Sequence, residues 1–92
     1  MDNSSSLNNI AWSFYENVED KAMLKKAAGW AKHSVELKEE YANADTYAAL
    51  LFKLGNKKDA EVAAEKAIEL AKKEGSDYSE TAALLGKIKA MK

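Results

Sequence analysis

Residues Thr46 to Leu54 read TYAALLFKL, and thirty-four positions later Glu80 to Ile88 read ETAALLGKI. Five of these nine positions are identical: Ala48/Ala82, Ala49/Ala83, Leu50/Leu84, Leu51/Leu85 and Lys53/Lys87. A self-match at this period, in a chain of helix formers, marks stacked helical pairs. One pair cannot bury both of its faces, so a neighbour must cover the remainder. The repeat also constrains function, because stacks of this kind bind polypeptides more often than they catalyse.

A second match runs at an offset of thirty-three, pairing Ala27 with Ala60, Ala31 with Ala64, Glu36 with Glu69 and Leu37 with Leu70. A third, at thirty-seven, pairs Ala11 with Ala48 and Phe14 with Leu51. The unequal offsets place about one extra helical turn near Asp20 to Leu24. The order is therefore A-B-A-B-A, two full repeats and a closing half. Apolar spacing predicts five helices. The first runs from about Ser6 to Asn17 with Leu7, Ile10, Ala11 and Phe14 inward and Ser4 to Ser6 as N-cap candidates. The second runs from an Asp20 cap to about Lys38, with Leu24, Ala27, Ala28, Ala31 and Val35 inward. The third spans Asn43 to Leu54. The fourth, Lys57 to Glu74, carries a small-residue stripe at Ala60, Ala63, Ala64, Ala67 and Ala71. Gly55 and Gly75 stop the third and fourth. Asp77 and Glu80 resemble a capping box for a fifth helix ending near Met91.

These residues carry a family resemblance. Leu7-x-x-Ile10-Ala11-x-x-Phe14 resembles the first helix of a tetratricopeptide repeat, and Ala44-x-x-Tyr47-Ala48-x-x-Leu51 and Tyr78-x-x-Thr81-Ala82-x-x-Leu85 repeat it. Ala27 and Ala31, then Ala60 and Ala64, resemble the small residues of its second helix. Ser34-Val-Glu-Leu and Ala67-Ile-Glu-Leu resemble its Ala-Leu-x-Leu ending. Glu39 and Lys72 stand where the family often closes with proline, which leads us to expect second helices that run on. The resemblance implies an all-α, helical-hairpin solenoid of five antiparallel helices over 1–92. Repeat 1 covers about 5–40, repeat 2 about 42–75, and a capping helix about 77–91. It further implies that Ala11, Ala48 and Ala82 sit where first helices meet second helices. A looser likeness is to helical tails that follow thioredoxin-like domains in some bacterial proteins.

In this family the first helices line a concave groove. Carried over, that groove holds Asn8, Trp12 and Tyr15, then Asp45, Ala49 and Phe52, then Ser79, Ala83 and Gly86. The peptide- or protein-binding residues expected are Asn8, Trp12, Tyr15, Asp45 and Phe52. The family's carboxylate clamp needs cations along this groove, and Asp45, Ala49 and Ser79 supply none, so an apolar or aromatic peptide suits it better. The implied function is a protein–protein interaction module. The alternative is a structural helper domain packed against an enzyme domain, thioredoxin-like for example, of a longer parent.

Composition narrows the remaining classes. Fourteen basic against fifteen acidic residues give a net charge of −1, which favours neither nucleic acid nor an anionic membrane. Cysteine is absent, removing disulfides, thiol nucleophiles and thiolate metal sites. No phosphate-binding glycine loop, HExxH or calcium loop occurs. His33, the one histidine, has Glu36 and Glu40 at helical spacing but no second nitrogen or sulfur ligand, and reads as a solvated residue. No enzyme, cofactor or metal site is therefore expected. Glu69 and Lys73 read as part of a solvated face. Trp30 reads as a packing residue, with close packing offsetting the helical Gly29. The start, Met1-Asp-Asn-Ser-Ser-Ser, is unlike a signal peptide and reads either as an added start or as a boundary cut from a longer chain. No run is long enough for a membrane span. A soluble, cytoplasmic protein is expected, periplasmic if the parent is secreted.

The fifth helix has no successor. Leu84, Ile88 and Met91 form one stripe, and Leu50 and Leu54, their counterparts, would be covered by the fourth helix. An uncovered stripe, ringed by Lys87, Lys89 and Lys92 and set against an acidic first twenty residues, predicts a weak homodimer.

Overall fold

The computed structural model describes residues 3–91, with side chains described from residue 9 onward. Five helices follow one another: α1 (Asn3–Asn17), α2 (Lys21–Leu37), α3 (Tyr41–Leu54), α4 (Lys57–Glu74) and α5 (Ser79–Lys89). No strand occurs among the described residues, so the fold is all-α. Among the described residues, no helix is long and apolar enough to cross a membrane.

Local chemistry sets each boundary. The Asp20 carboxylate accepts from the backbone N–H groups of Ala22 (2.8 Å) and Met23 (3.3 Å), satisfying two donors at the start of α2. Gly55, at φ 83°, lets α3 close with paired bonds from Gly55 N–H to Phe52 O and from Asn56 N–H to Leu51 O, both 3.0 Å. Gly75, at φ 73°, closes α4 in the same left-handed conformation. The start of α3 is satisfied from afar. Glu74, at the end of α4, accepts the Tyr41 N–H at 2.8 Å and places a carboxylate at a positive helix end. At α5, Asp77 accepts from the N–H and hydroxyl of Ser79, so the cap closes two residues on and Glu80 takes no part in it. Helix α1 begins at Asn3, which puts Ser4 to Ser6 inside its first turns rather than at a cap.

Consecutive helices pack in order, α1 on α2, α2 on α3, α3 on α4 and α4 on α5; α1 also meets α3, and α5 meets α3 over a short stretch. The molecule measures 31 × 29 × 18 Å. The alanine stripes make this packing close. Ala27 and Ala31 of α2, and Ala60, Ala64, Ala67 and Ala71 of α4, are completely buried, so the helix axes approach without large side chains between them. Ala11 and Ala48 are equally buried at the A–B contacts expected of them. Trp30 packs edge-on against Phe14, ring centroids 5.1 Å apart.

Five further expectations are corrected. Ile10, assigned to the core face, is 46% exposed, while Ala11 carries the contact. Ala82 is exposed, whereas its counterpart Ala48 is buried against Ala60 and Ala64 of α4. Helix α2 does not run on: it stops at Leu37, where the buried Asn43 donates to the carbonyls of Lys38 (2.9 Å) and Ser34 (3.5 Å). Leu37 is therefore a terminal, exposed residue, whereas its counterpart Leu70 lies a turn inside α4 and packs with Ala44 and Ala67. Gly29 lies in open space, with no atom within 4 Å of where a Cβ would stand, so no close approach explains it.

The fifth correction concerns the apolar stripe of α5. Leu50 and Leu54 pack with Ala11, Leu24, Ala27 and Ala31, that is, on the preceding helical pair and not on α4. By the same logic α5 turns its stripe back. Ile88 is completely buried among Ala48, Leu51, Ala60 and Ala64, and Leu84 and Met91 are partly buried beside it. The exposed stripe on which self-association was expected to rest is an internal contact.

Candidate functional site

The faces of α1, α3 and α5 that point away from α2 and α4 enclose two adjoining hollows. The first, of ≈ 390 Å³, is lined by Asn9, Trp12, Tyr41, Ala42, Asp45, Thr46, Asp77 and Glu80. The second, of ≈ 290 Å³, is lined by Trp12, Tyr15, Asp45, Ala49, Glu80, Ala83, Leu84 and Lys87. Trp12, Asp45 and Glu80 belong to both, so the two make one groove across three helices.

Helical spacing explains the aromatic wall. Trp12 and Tyr15 lie three residues apart on α1, and their rings stack at 5.0 Å between centroids and 29° between planes. Trp12 keeps 37% of its surface exposed, a large apolar face left open to the groove. The wall is braced from α3. The Lys53 ammonium donates to the Tyr15 carbonyl (2.5 Å), lies 5.4 Å from the Tyr15 ring centroid and pairs with Glu19 at 3.4 Å. A cation on a terminal carbonyl of α1 also suits the negative end of that helix. The floor is small: Ala49 is 3% exposed, and Ala83 occupies the repeat-equivalent position on α5.

A hydrogen-bonded chain joins α3 to α5 below the first hollow. The Thr81 hydroxyl, completely buried, donates to Asp45 Oδ1 at 2.5 Å. An ionised carboxylate only accepts, so Thr81 must donate there, and its oxygen receives the Tyr41 hydroxyl at 2.7 Å. Burial pushes the Asp45 carboxyl above its ordinary range; the Thr81 bond opposes that rise and the Glu80 charge adds to it. Burial likewise pushes the Tyr41 phenol up, against the Thr81 bond. Asp77 is held below the carboxylate range by its bonds from Ser79.

Of the residues expected at the site, Trp12, Tyr15 and Asp45 come together in the groove, with Ala49 and Ala83 beneath them. Phe52 does not line either hollow; it packs partly buried near Ala48, Leu51 and Leu85. The side chain of Asn8 lies outside the described residues. Ser79 is occupied by its bonds to Asp77, and Gly86 lines neither hollow. Tyr41, Glu80, Thr81 and Lys87 were not foreseen here. Thr81 had a signal: it is polar at a position whose repeat equivalents, Ile10 and Tyr47, are large and apolar, and a buried hydroxyl needs a partner. His33 is exposed and 4.0 Å from Glu36, and no group of three metal-ligating side chains occurs among the described residues. Glu69 and Lys73 pair at 3.7 Å on an open surface. Compared with family models, curated proteins and solved structures, the chain matches none.

Proposed function

We propose that this chain is a tetratricopeptide-like stack, two helical hairpins closed by a fifth helix, whose groove takes a polypeptide segment. It acts as an interaction module, neither an enzyme nor a cofactor carrier. The observation that carries the reading is the stacked Trp12–Tyr15 wall, partly open, above the small floor of Ala49 and Ala83. A large rigid ring at the edge of a hollow supplies contact area at low entropic cost, and aromatic residues of this kind dominate binding energy at interfaces. The repeat order and the packing of each helix on the next support the stack.

The test is selection of twelve-residue peptides from a random library on the full chain, followed by titration against Trp12→Ala and Ala49→Trp. Removing the wall or filling the floor should abolish binding. Peptides that bind both variants as tightly as the wild type would place the site elsewhere.

A second reading has its own observation. Met23, Trp30 and Leu37 share one face of α2, and Met23 and Leu37 are exposed, as is Ile10 on α1. That row suits a helper domain whose first hairpin packs on a neighbouring domain of a longer protein. Met23→Glu with Leu37→Glu should leave the isolated chain as stable as before; a loss of stability would show these side chains already used within it.

A further inference from the structure

The two hollows of the groove differ in charge. Among the described residues, Asp45, Asp77 and Glu80 are the charged side chains lining the first, and none is a cation. The second shares Asp45 and Glu80 but adds the cation Lys87 in place of Asp77, and its other walls are Trp12, Tyr15, Ala49, Ala83 and Leu84. From this division we infer that the segment taken by the groove carries a lysine or arginine side chain, seated in the first hollow between the Trp12 ring and the Asp45 and Glu80 carboxylates, with an apolar side chain following it over Ala49. The inference rests on the peptide-binding reading above.

Three features of the hollow favour a cation. Thr81 engages Asp45 Oδ1 alone, which leaves Oδ2 to a guest donor. The Asp45 carboxylate is desolvated and feels the charge of Glu80, so a bound cation relieves a repulsion that exists in the empty groove. The exposed face of Trp12 stands at the edge of the same hollow, and an ammonium or, better, a guanidinium gains from lying over an indole ring. Stacked on Tyr15, whose carbonyl Lys53 engages, that ring is already in place before any ligand arrives. An acidic or carboxylate-led peptide would meet three like charges and is excluded from this end.

The library selection decides the matter. Lysine and arginine should be enriched in the recovered peptides. The best basic peptide, followed by fluorescence anisotropy, should weaken roughly three-fold with Glu80→Gln and roughly ten-fold with Asp45→Asn and Glu80→Gln together, and should weaken again with added salt. Glu80 is exposed and makes no cap bond, so the single variant leaves the fold intact. Recovery of neutral or acidic peptides that still lose binding in Trp12→Ala would overturn the cationic guest and leave the groove standing. Recovery of no peptide, or of peptides indifferent to Trp12, would remove the groove itself and the inference with it.

Discussion

Thr81 of α5 and Asp45 of α3 are joined at 2.5 Å, and together with the Tyr41–Thr81 bond this links α5 to α3 through polar groups. It lies under the groove, so the geometry of the groove's acidic end depends on one hydroxyl, while Ile88 supplies the apolar docking of α5. Thr81→Val keeps the shape and removes the donor. Tyr41 and Asp45 would both lose their partner, at a cost of about 1–3 kcal/mol for the stranded polar groups. Urea unfolding measures this, and an unchanged midpoint would mean that water replaces the hydroxyl on both sides.

Asp45 itself carries a pH dependence of determined sign. Its carboxyl binds its proton more tightly in the folded chain than in the unfolded one. The native state then holds more protons across that interval, so the contribution is fully present below the unfolded carboxyl pKa and is lost as pH rises through the folded one. Asp45→Asn keeps an acceptor for Thr81 and cannot ionise. It should be at least as stable as the wild type at pH 7, with the difference vanishing near pH 3. A variant that is weaker at pH 7 would show the ionised carboxylate to be stabilising.

Much of the fold is legible in the sequence because its determinants are local. The Asp20 cap, the Gly55 and Gly75 stops and the alanine stripes act within one turn, and the structure places all of them as the spacing predicts. What is not legible is which neighbour covers a given face. The spacing of Leu50 and Leu54 shows a stripe but not its direction, and reading it toward the following helix reversed the burial of Ile88. The groove was half legible for the same reason. Trp12, Tyr15 and Asp45 follow from repeat position, but Tyr41, Glu80 and Thr81 converge on them only through the way α5 meets α3.

Gly29 offers a direct gain in stability. It lies inside α2 with an ordinary backbone conformation and nothing near its absent Cβ. Alanine removes unfolded-state freedom without a clash, so Gly29→Ala should stabilise the chain by about 0.5–1 kcal/mol. Gly55→Ala, at φ 83°, should do the opposite by a similar amount or more. Thermal unfolding of the two variants side by side reads both signs, and a destabilised Gly29→Ala would reveal a contact made outside the chain's own helices.

Asn43 closes the first hairpin onto the second. Only 3% exposed, it serves the carbonyls of Lys38 and Ser34 at the end of α2. Asn43→Leu keeps the volume and withdraws both bonds, although the Ser34 carbonyl keeps the Lys38 N–H at 3.0 Å, and about 1 kcal/mol should be lost. Amide exchange should quicken first at the end of α2, where the Asn43 bonds no longer tie the helix to α3, before any change in α4. Uniform quickening throughout would mean that the two hairpins unfold as a single unit.

Ile88 separates internal packing from self-association. Were the α5 stripe a contact between two copies, Ile88→Glu would lower the mass seen in sedimentation and leave the protomer intact. The structure instead seals Ile88 among Ala48, Leu51, Ala60 and Ala64. A glutamate there must either stay charged without a partner or take up a proton, and both are costly in an alanine-lined core. Ile88→Glu should therefore detach α5, lowering stability by several kcal/mol with loss of helical ellipticity. Leu84→Glu, from a partly exposed position, should be milder. Because Leu84 also lines the second hollow, detachment of α5 should abolish peptide binding in the first variant. A folded, fully helical Ile88→Glu chain with reduced association would restore the dimer and require α5 to leave α4 in solution.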